Sequence, residues 1–319
     1  MSKNSRGKNS FWTKTPVVII FAFICCFLWG SAFPCIKSGY ALFKVPLDDA
    51  ASQILFAGIR FFFAGVMVII AGSLINRRVL RVSVRGIPKV FGLSMFQTAG
   101  QYFFFYIGLA HATGVSSSII EASNTFFAIL IAALIFRTEN LTLRKIAGCI
   151  LGFVGVILVQ LNGASLEVHF TLQAEGFVLI SALLAAFSSS LIKRWSADED
   201  TVALSGYQFM LGGLILAIGG ACAGGHLSFS TAGAAGYLLL TYMAFISACA
   251  YTLWGLLLKY NPVSRISVFG FMNPVIGVLL SAVILGEYSQ AFRLSALFSL
   301  ILVSLGIIVV NRQKKMTER

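Results

Sequence analysis

Charge is scarce in this sequence. Asp, Glu, Lys and Arg make up 11% of the residues, whereas 58% are hydrophobic. A soluble domain carries about 25% charged residues, so there is too little charge here to clothe an aqueous surface, and a soluble fold is excluded. Paired cysteines are missing too. Cys25, Cys26, Cys35, Cys149, Cys222 and Cys249 lie within or at the ends of apolar stretches and form no CxxC pair, so they read as small packing residues. His111, His169 and His226 lack ligand spacing, and no metal or other cofactor is expected. No GxxxxGK[ST] loop and no His/Asp constellation occurs, which argues against an ATP-driven machine and against an enzyme.

What the sequence does have is long apolar runs. Each of about 20 residues is enough to cross a hydrocarbon core about 30 Å thick. Backbone groups find no water there, and the alternation of barrel strands is absent, so the runs are read as helices. The expected spans are 16–40, 50–75, 88–110, 114–136, 142–161, 173–195, 203–223, 235–259, 263–285 and 290–311. Residues 1–15 are basic and precede an apolar run, as in a signal peptide. That run continues past Trp29 to about Tyr40 and is read as the first membrane helix.

The net charge of +13 does not point to nucleic acid, because the basic residues sit in short connections between spans. With both termini cytoplasmic, the cytoplasmic side collects Lys3, Arg6, Lys8, Lys14, the cluster from Arg77 to Lys89, Arg137, Arg144, Lys145, Lys193, Arg194, Lys259, Arg265 and the basic residues from Arg312 onward. Only Lys37, Lys44, Arg60 and Arg293 fall elsewhere. This positive-inside bias predicts a multi-pass protein of a bacterial inner membrane with cytoplasmic tails at 1–15 and 312–319.

The two halves of the chain repeat. Gly58, Phe61 and Gly65 align with Gly206, Phe209 and Gly213 at one offset, and Gly108 aligns with Gly255 at nearly the same one. Glu139 corresponds to Glu287, and Gly148 and Gly152 correspond to Ser295 and Ser299, a small-xxx-small spacing suited to close helix packing. Five spans per half is an odd number, so consecutive halves face opposite ways. The expected fold is an all-α membrane protein of ten transmembrane helices in two inverted five-helix repeats, an architecture that serves alternating access in many secondary transporters.

Trp29-Gly30-Ser31-Ala32-Phe33, Ile36-Lys37, Arg60-Phe61, Asn273-Pro274, Leu285-Gly286-Glu287 and the glycine-rich fifth and tenth spans resemble the EamA-type carriers of the drug/metabolite transporter superfamily. The resemblance covers residues 15–311, as repeats at 16–161 and 173–311. It implies a central cavity lined mainly by spans 1, 3, 4, 6, 8 and 9, and export or exchange of small metabolites, often amino acids and related solutes. Thr125 stands where the family's fourth span often has proline, whereas Pro274 keeps it, so a one-sided kink is expected.

Polar residues inside spans nominate the site, since ionisable groups in hydrocarbon usually face the bundle interior. At 1.5 Å per residue, Glu121 lies about 10 Å and Arg60 about 14 Å inside the outer ends of their spans. They are expected to influence each other, either as a fixed ion pair or with Glu121 as a proton-coupling carboxylate or counter-charge for an amine. Gln97 and Gln101 share one face of span 3, and with Asn124 and Asn273 they either bind a substrate or hydrogen-bond between helices. Trp29, Tyr102, Tyr106, Tyr251 and Trp254 lie in spans that the resemblance places at the cavity. Tyr106 and Trp254 read equally as interfacial belt residues. Lys37, near an outer helix end, can snorkel. Glu139 and Glu287 read as boundary residues. The expected partners are a small-molecule substrate and lipid, with protons or a counter-substrate as energy source. An amine-efflux carrier, a membrane enzyme and a channel are the competing readings, and the oligomeric state is open.

Overall fold

The computed structural model describes residues 11–137, 140–159, 161–162, 167–168, 170–196, 198–261, 266 and 268–311. Nearly all of them are helical. The chain begins with α1 (Thr15–Leu42), α2 (Ala50–Asn76), α3 (Ile87–Leu93) and α4 (Gln101–His111), the last two joined by a π-helical segment, Ser94–Gly100. Next come α5 (Gly114–Glu121), α6 (Asn124–Leu134) and α7 (Leu143–Leu158). A two-residue antiparallel ribbon, β1 (Leu161–Asn162) with β2 (Glu167–Val168), pairs Leu161 with Val168. The remainder is α8 (Phe177–Trp195), α9 (Thr201–Cys222), α10 (Phe229–Tyr260), α11 (Met272–Leu285), α12 (Tyr288–Ala291) and α13 (Leu294–Asn311).

Six stretches are long and apolar enough to cross a membrane: Thr15–Leu42, Ala50–Asn76, Gly114–Leu134, Leu172–Ile192, Thr201–Cys222 and Phe229–Leu257. Met272–Leu285 and Leu294–Val310 are shorter apolar helices. Many large apolar side chains face outward, among them Ile20, Ile70, Leu74, Leu238 and Phe298. Such a surface suits lipid and would be costly in water.

Local chemistry sets the helix ends. Asp49 accepts the Ser52 amide at 3.0 Å, Thr113 accepts the Ser116 amide at 3.0 Å, and Asp200 accepts the amides of Val202 and Ala203. Each side chain satisfies donors that an N-terminal turn leaves orphaned. Arg77, in the left-handed region at φ 50°, ends α2.

A proline-free turn interrupts the fourth span. Between α5 and α6, where no proline stands, the amides of Ala122, Ser123, Thr125 and Phe126 all bond three residues back. These bonds tighten the backbone into a 3-10-type turn without proline. Pro274 lies in the first turn of α11, behind a 3-10 turn at Val268–Phe271. Its missing N–H costs nothing there.

Two helix pairs form the frame: α2 against α9, and α7 against α13. Both are glycine seams. A Cβ on Gly58 would lie 2.2 Å from the Ala217 amide nitrogen, and one on Gly213 would lie 2.3 Å from that of Phe62. Gly148 and Gly306 similarly face each other's carbonyl oxygens, at 2.9 and 2.8 Å from the added carbon. Gly152 receives the ring of Phe126, Gly155 meets the Ser299 carbonyl, and the Ser299 hydroxyl bonds the Ser295 carbonyl at 2.6 Å. Around this frame α1 packs on α10 and α11, and α4 packs on α8.

Span 4 differs along its length. α5 buries Val115, Ser117, Ser118, Ile119 and Ile120 and packs chiefly on α11, with α8 and α1 beside it, whereas α6 leans chiefly on α8 and buries only Phe126 and Ile131. The bundle is therefore tight at the Gly114 end and looser at the Leu134 end.

Candidate functional site

Arg60 is 2% exposed, and each nitrogen of its guanidinium has a neutral partner. Nε donates to the Met243 carbonyl at 3.0 Å, one terminal nitrogen to the Tyr106 hydroxyl at 2.7 Å, and the other to Ser247 Oγ at 3.0 Å. The group lies 5.0 Å above the Phe61 ring. Tyr106 is fully buried and its carbonyl receives the Tyr40 hydroxyl at 2.8 Å, which removes it from any interfacial belt. Arg60 thus clamps α2 to α4 and α10. The fixed Arg60–Glu121 ion pair is not formed. A salt bridge does join Lys89 to Asp198, at 3.1 Å.

Gln208 stands at the repeat position of Arg60 and does a matching job in the second half. It donates to Gln97 Oε1 at 3.0 Å, while its own Oε1 accepts from the Thr98 hydroxyl at 2.6 Å and its backbone carbonyl accepts from Ser94 at 3.1 Å. Gln97 is therefore committed to helix packing. The repeat alignment contained the signal that could have identified Gln208.

A second polar group remains open. One Glu121 carboxylate oxygen, Gln101 Oε1, Asn273 Oδ1 and the Trp29 indole N–H are buried without a hydrogen-bond partner. Gln101 itself is 4% exposed. The Tyr102 and Tyr251 hydroxyls meet at 2.6 Å, joining α4 to α10, and Glu121 lies close enough to interact electrostatically with both. Trp29 packs edge-on against Tyr251 and Trp254, with ring centroids 5.4 and 5.1 Å away. Asn273 reaches the same region through its backbone, beside Cys26, one turn from Trp29 on α1. Asn124 is half-buried at the start of α6, three residues beyond Glu121. In chemical terms this is a carboxylate and two amide oxygens set beside four aromatic rings.

Lys37 is half-buried and lies within electrostatic reach of Glu287. Glu287 does more than mark a boundary: it accepts the amides of Gly114 and Val115. Its repeat counterpart Glu139 lies outside the described residues, as do the tails 1–10 and 312–319. All six cysteines are free, and among the described residues no group of His, Cys, Asp and Glu is arranged to hold a metal.

The chain is similar to known transporters over most of its length. It is 27% identical over 299 residues to a protein of Archaeoglobus fulgidus described as an uncharacterized transporter, covering 90% of this chain and 95% of that one. It is 26% identical over 320 residues to a probable amino-acid metabolite efflux pump of Salmonella typhimurium, covering 93% and 96%. A 23% identical stretch of 207 residues, 63% of this chain and 62% of the relative, matches an S-adenosylmethionine/S-adenosylhomocysteine transporter of Chlamydia muridarum. One solved crystal structure shares the fold, with a TM-score of 0.61 at 16% identity over 93% of this chain and 96% of that one. The sequence model of the EamA-like transporter family matches twice, at residues 16–161 and 172–312, and the chain belongs to that family.

Proposed function

We propose that this protein is a secondary active transporter, an exporter or exchanger of small metabolites such as amino acids or related amphipathic solutes. It works by alternating access across a bacterial inner membrane, with both termini cytoplasmic. In this reading ten spans form two inverted repeats, 16–161 and 173–311, around a midplane site. Trp29, Gln101, Tyr102, Glu121, Asn124, Tyr251, Trp254 and Asn273 face the substrate. Gln97 and Arg60 hold the helices, as do the small residues Gly148, Gly152, Ser295 and Ser299. Energy comes from protons or a counter-substrate.

The observation that carries the reading is the polar group without partners. Buried polar atoms are normally satisfied, and several unsatisfied ones within an apolar bundle, Glu121 among them, suit a ligand that comes and goes. The unequal packing of α5 and α6 supports one phase of a cycle, closed at the Gly114 end. The family match supports transport as the activity.

The test is uptake of labelled amino acids into liposomes holding the purified protein, preloaded with unlabelled pool. Saturable counterflow that Glu121→Gln diminishes is expected. Flux rising linearly with concentration would indicate a channel instead.

A further inference from the structure

Among the described residues twelve side-chain atoms are buried without partners; seven are hydroxyls, which donate or accept, and three are the acceptor oxygens of Glu121, Gln101 and Asn273. Glu121, Gln101 and Asn273 each present an unbonded oxygen, and Trp29 alone presents an unbonded N–H. Oxygens of carboxylates and amides accept hydrogen bonds. The complementary ligand therefore brings donors.

Charge points the same way. A buried carboxylate without a cation is expensive, and no Lys, Arg or His forms a salt bridge with Glu121 among the described residues. Arg60, a buried cation of the core, gives one donor of each guanidinium nitrogen to Met243, Tyr106 and Ser247. Its fork is thus held by protein groups from α4 and α10. Aromatic faces complete the wall: Trp29, Tyr102, Tyr251 and Trp254 are linked by ring contacts and the 2.6 Å hydroxyl pair. Rings of this kind attract ammonium groups within about 6 Å of their centroids.

We propose that the wall formed by Trp29, Gln101, Tyr102, Glu121, Tyr251 and Asn273 binds a cationic, amine-bearing solute. The ammonium group faces Glu121 and the aromatic rings, and its N–H groups bond the free oxygens of Gln101 and Asn273. A ligand whose only charge is a carboxylate is disfavoured, because it would meet the carboxyl of Glu121 rather than a cation. This assignment rests on the transporter reading for its biological meaning, but the binding chemistry stands separately.

Three probes of one shape test it: 2-phenylethylammonium, its neutral N-acetyl derivative and anionic 3-phenylpropionate, each titrated against the purified full-length protein at pH 7 while tryptophan emission is followed. The cation should bind at least tenfold more tightly than either isostere, and Glu121→Gln should erase that preference. Equal binding by the neutral or anionic probe overturns the proposal, as does saturation by none of the three or an unchanged preference in Glu121→Gln. Should the glutamine variant not remain monodisperse, the wild-type ranking and the charge-retaining Glu121→Asp decide. Labelled 2-phenylethylammonium in proteoliposomes separates the two readings. Cation-selective binding without flux removes transport and leaves the site. Saturable flux of a neutral metabolite, indifferent to Glu121, removes the site and leaves transport.

Discussion

Glu287 caps a helix to which it does not belong: its carboxylate accepts the Val115 amide at 2.9 Å and, through the other oxygen, the Gly114 amide at 3.0 Å. The contact ties the end of α11 to the start of α5, with Lys37 nearby. A carboxylate at a helix N-terminus satisfies orphan donors and meets the positive end of the macrodipole. Glu287→Ala should cost about 1–2 kcal/mol, and Glu287→Gln, which keeps one acceptor, should cost less. Thermal unfolding followed by size-exclusion in detergent gives the ranking, and equal midpoints for both variants would contradict it.

The glycine seams predict a sharp positional contrast. Gly58→Ala and Gly213→Ala put a methyl against backbone atoms 2.2 and 2.3 Å away, so the helices must separate, at a cost of about 1–3 kcal/mol each. Gly219 is also in α9 but has nothing within 4 Å of an added carbon. Gly219→Ala should be neutral or stabilise by up to about 1 kcal/mol. The same unfolding assay reads all three.

Arg60→Lys is expected to destabilise strongly despite preserving the charge. A lysine amine cannot reproduce the planar fork that meets Met243, Tyr106 and Ser247 at once. Loss of two charged hydrogen bonds, each worth about 1.5–3 kcal/mol, should lower folded yield more than Tyr106→Phe, which removes one. Comparable yields for the two variants would count against the clamp.

Tyr251→Phe keeps the ring that Trp29 packs against and deletes one hydroxyl of the pair with Tyr102. Stability should fall by about 1 kcal/mol, whereas the apparent KM for counterflow should change more than the maximal rate. A change confined to the maximal rate would place this hydroxyl outside substrate binding.

Some of this was legible in the residues. Arg60 and Glu121 announce themselves because ionisable groups in apolar runs are costly, and Gly58, Gly65, Gly206 and Gly213 announce themselves as matched repeat positions. The partners were harder to find. Which carbonyl meets Arg60 depends on the rotation and stagger of α10 against α2, and an almost uniformly apolar helix encodes neither in its periodicity. Gln97 shows the same limit: its face was apparent, but its bond to Gln208 depends on how closely α9 approaches. The break after Glu121 has no proline or glycine to mark it. It follows from backbone amides shifting to partners three residues back, which composition does not record.

That break lies one residue beyond Glu121. A lever moves least at its fulcrum. A rotation at Ala122 and Ser123 would displace the far end of α6, at Leu134, far more than the carboxyl of Glu121.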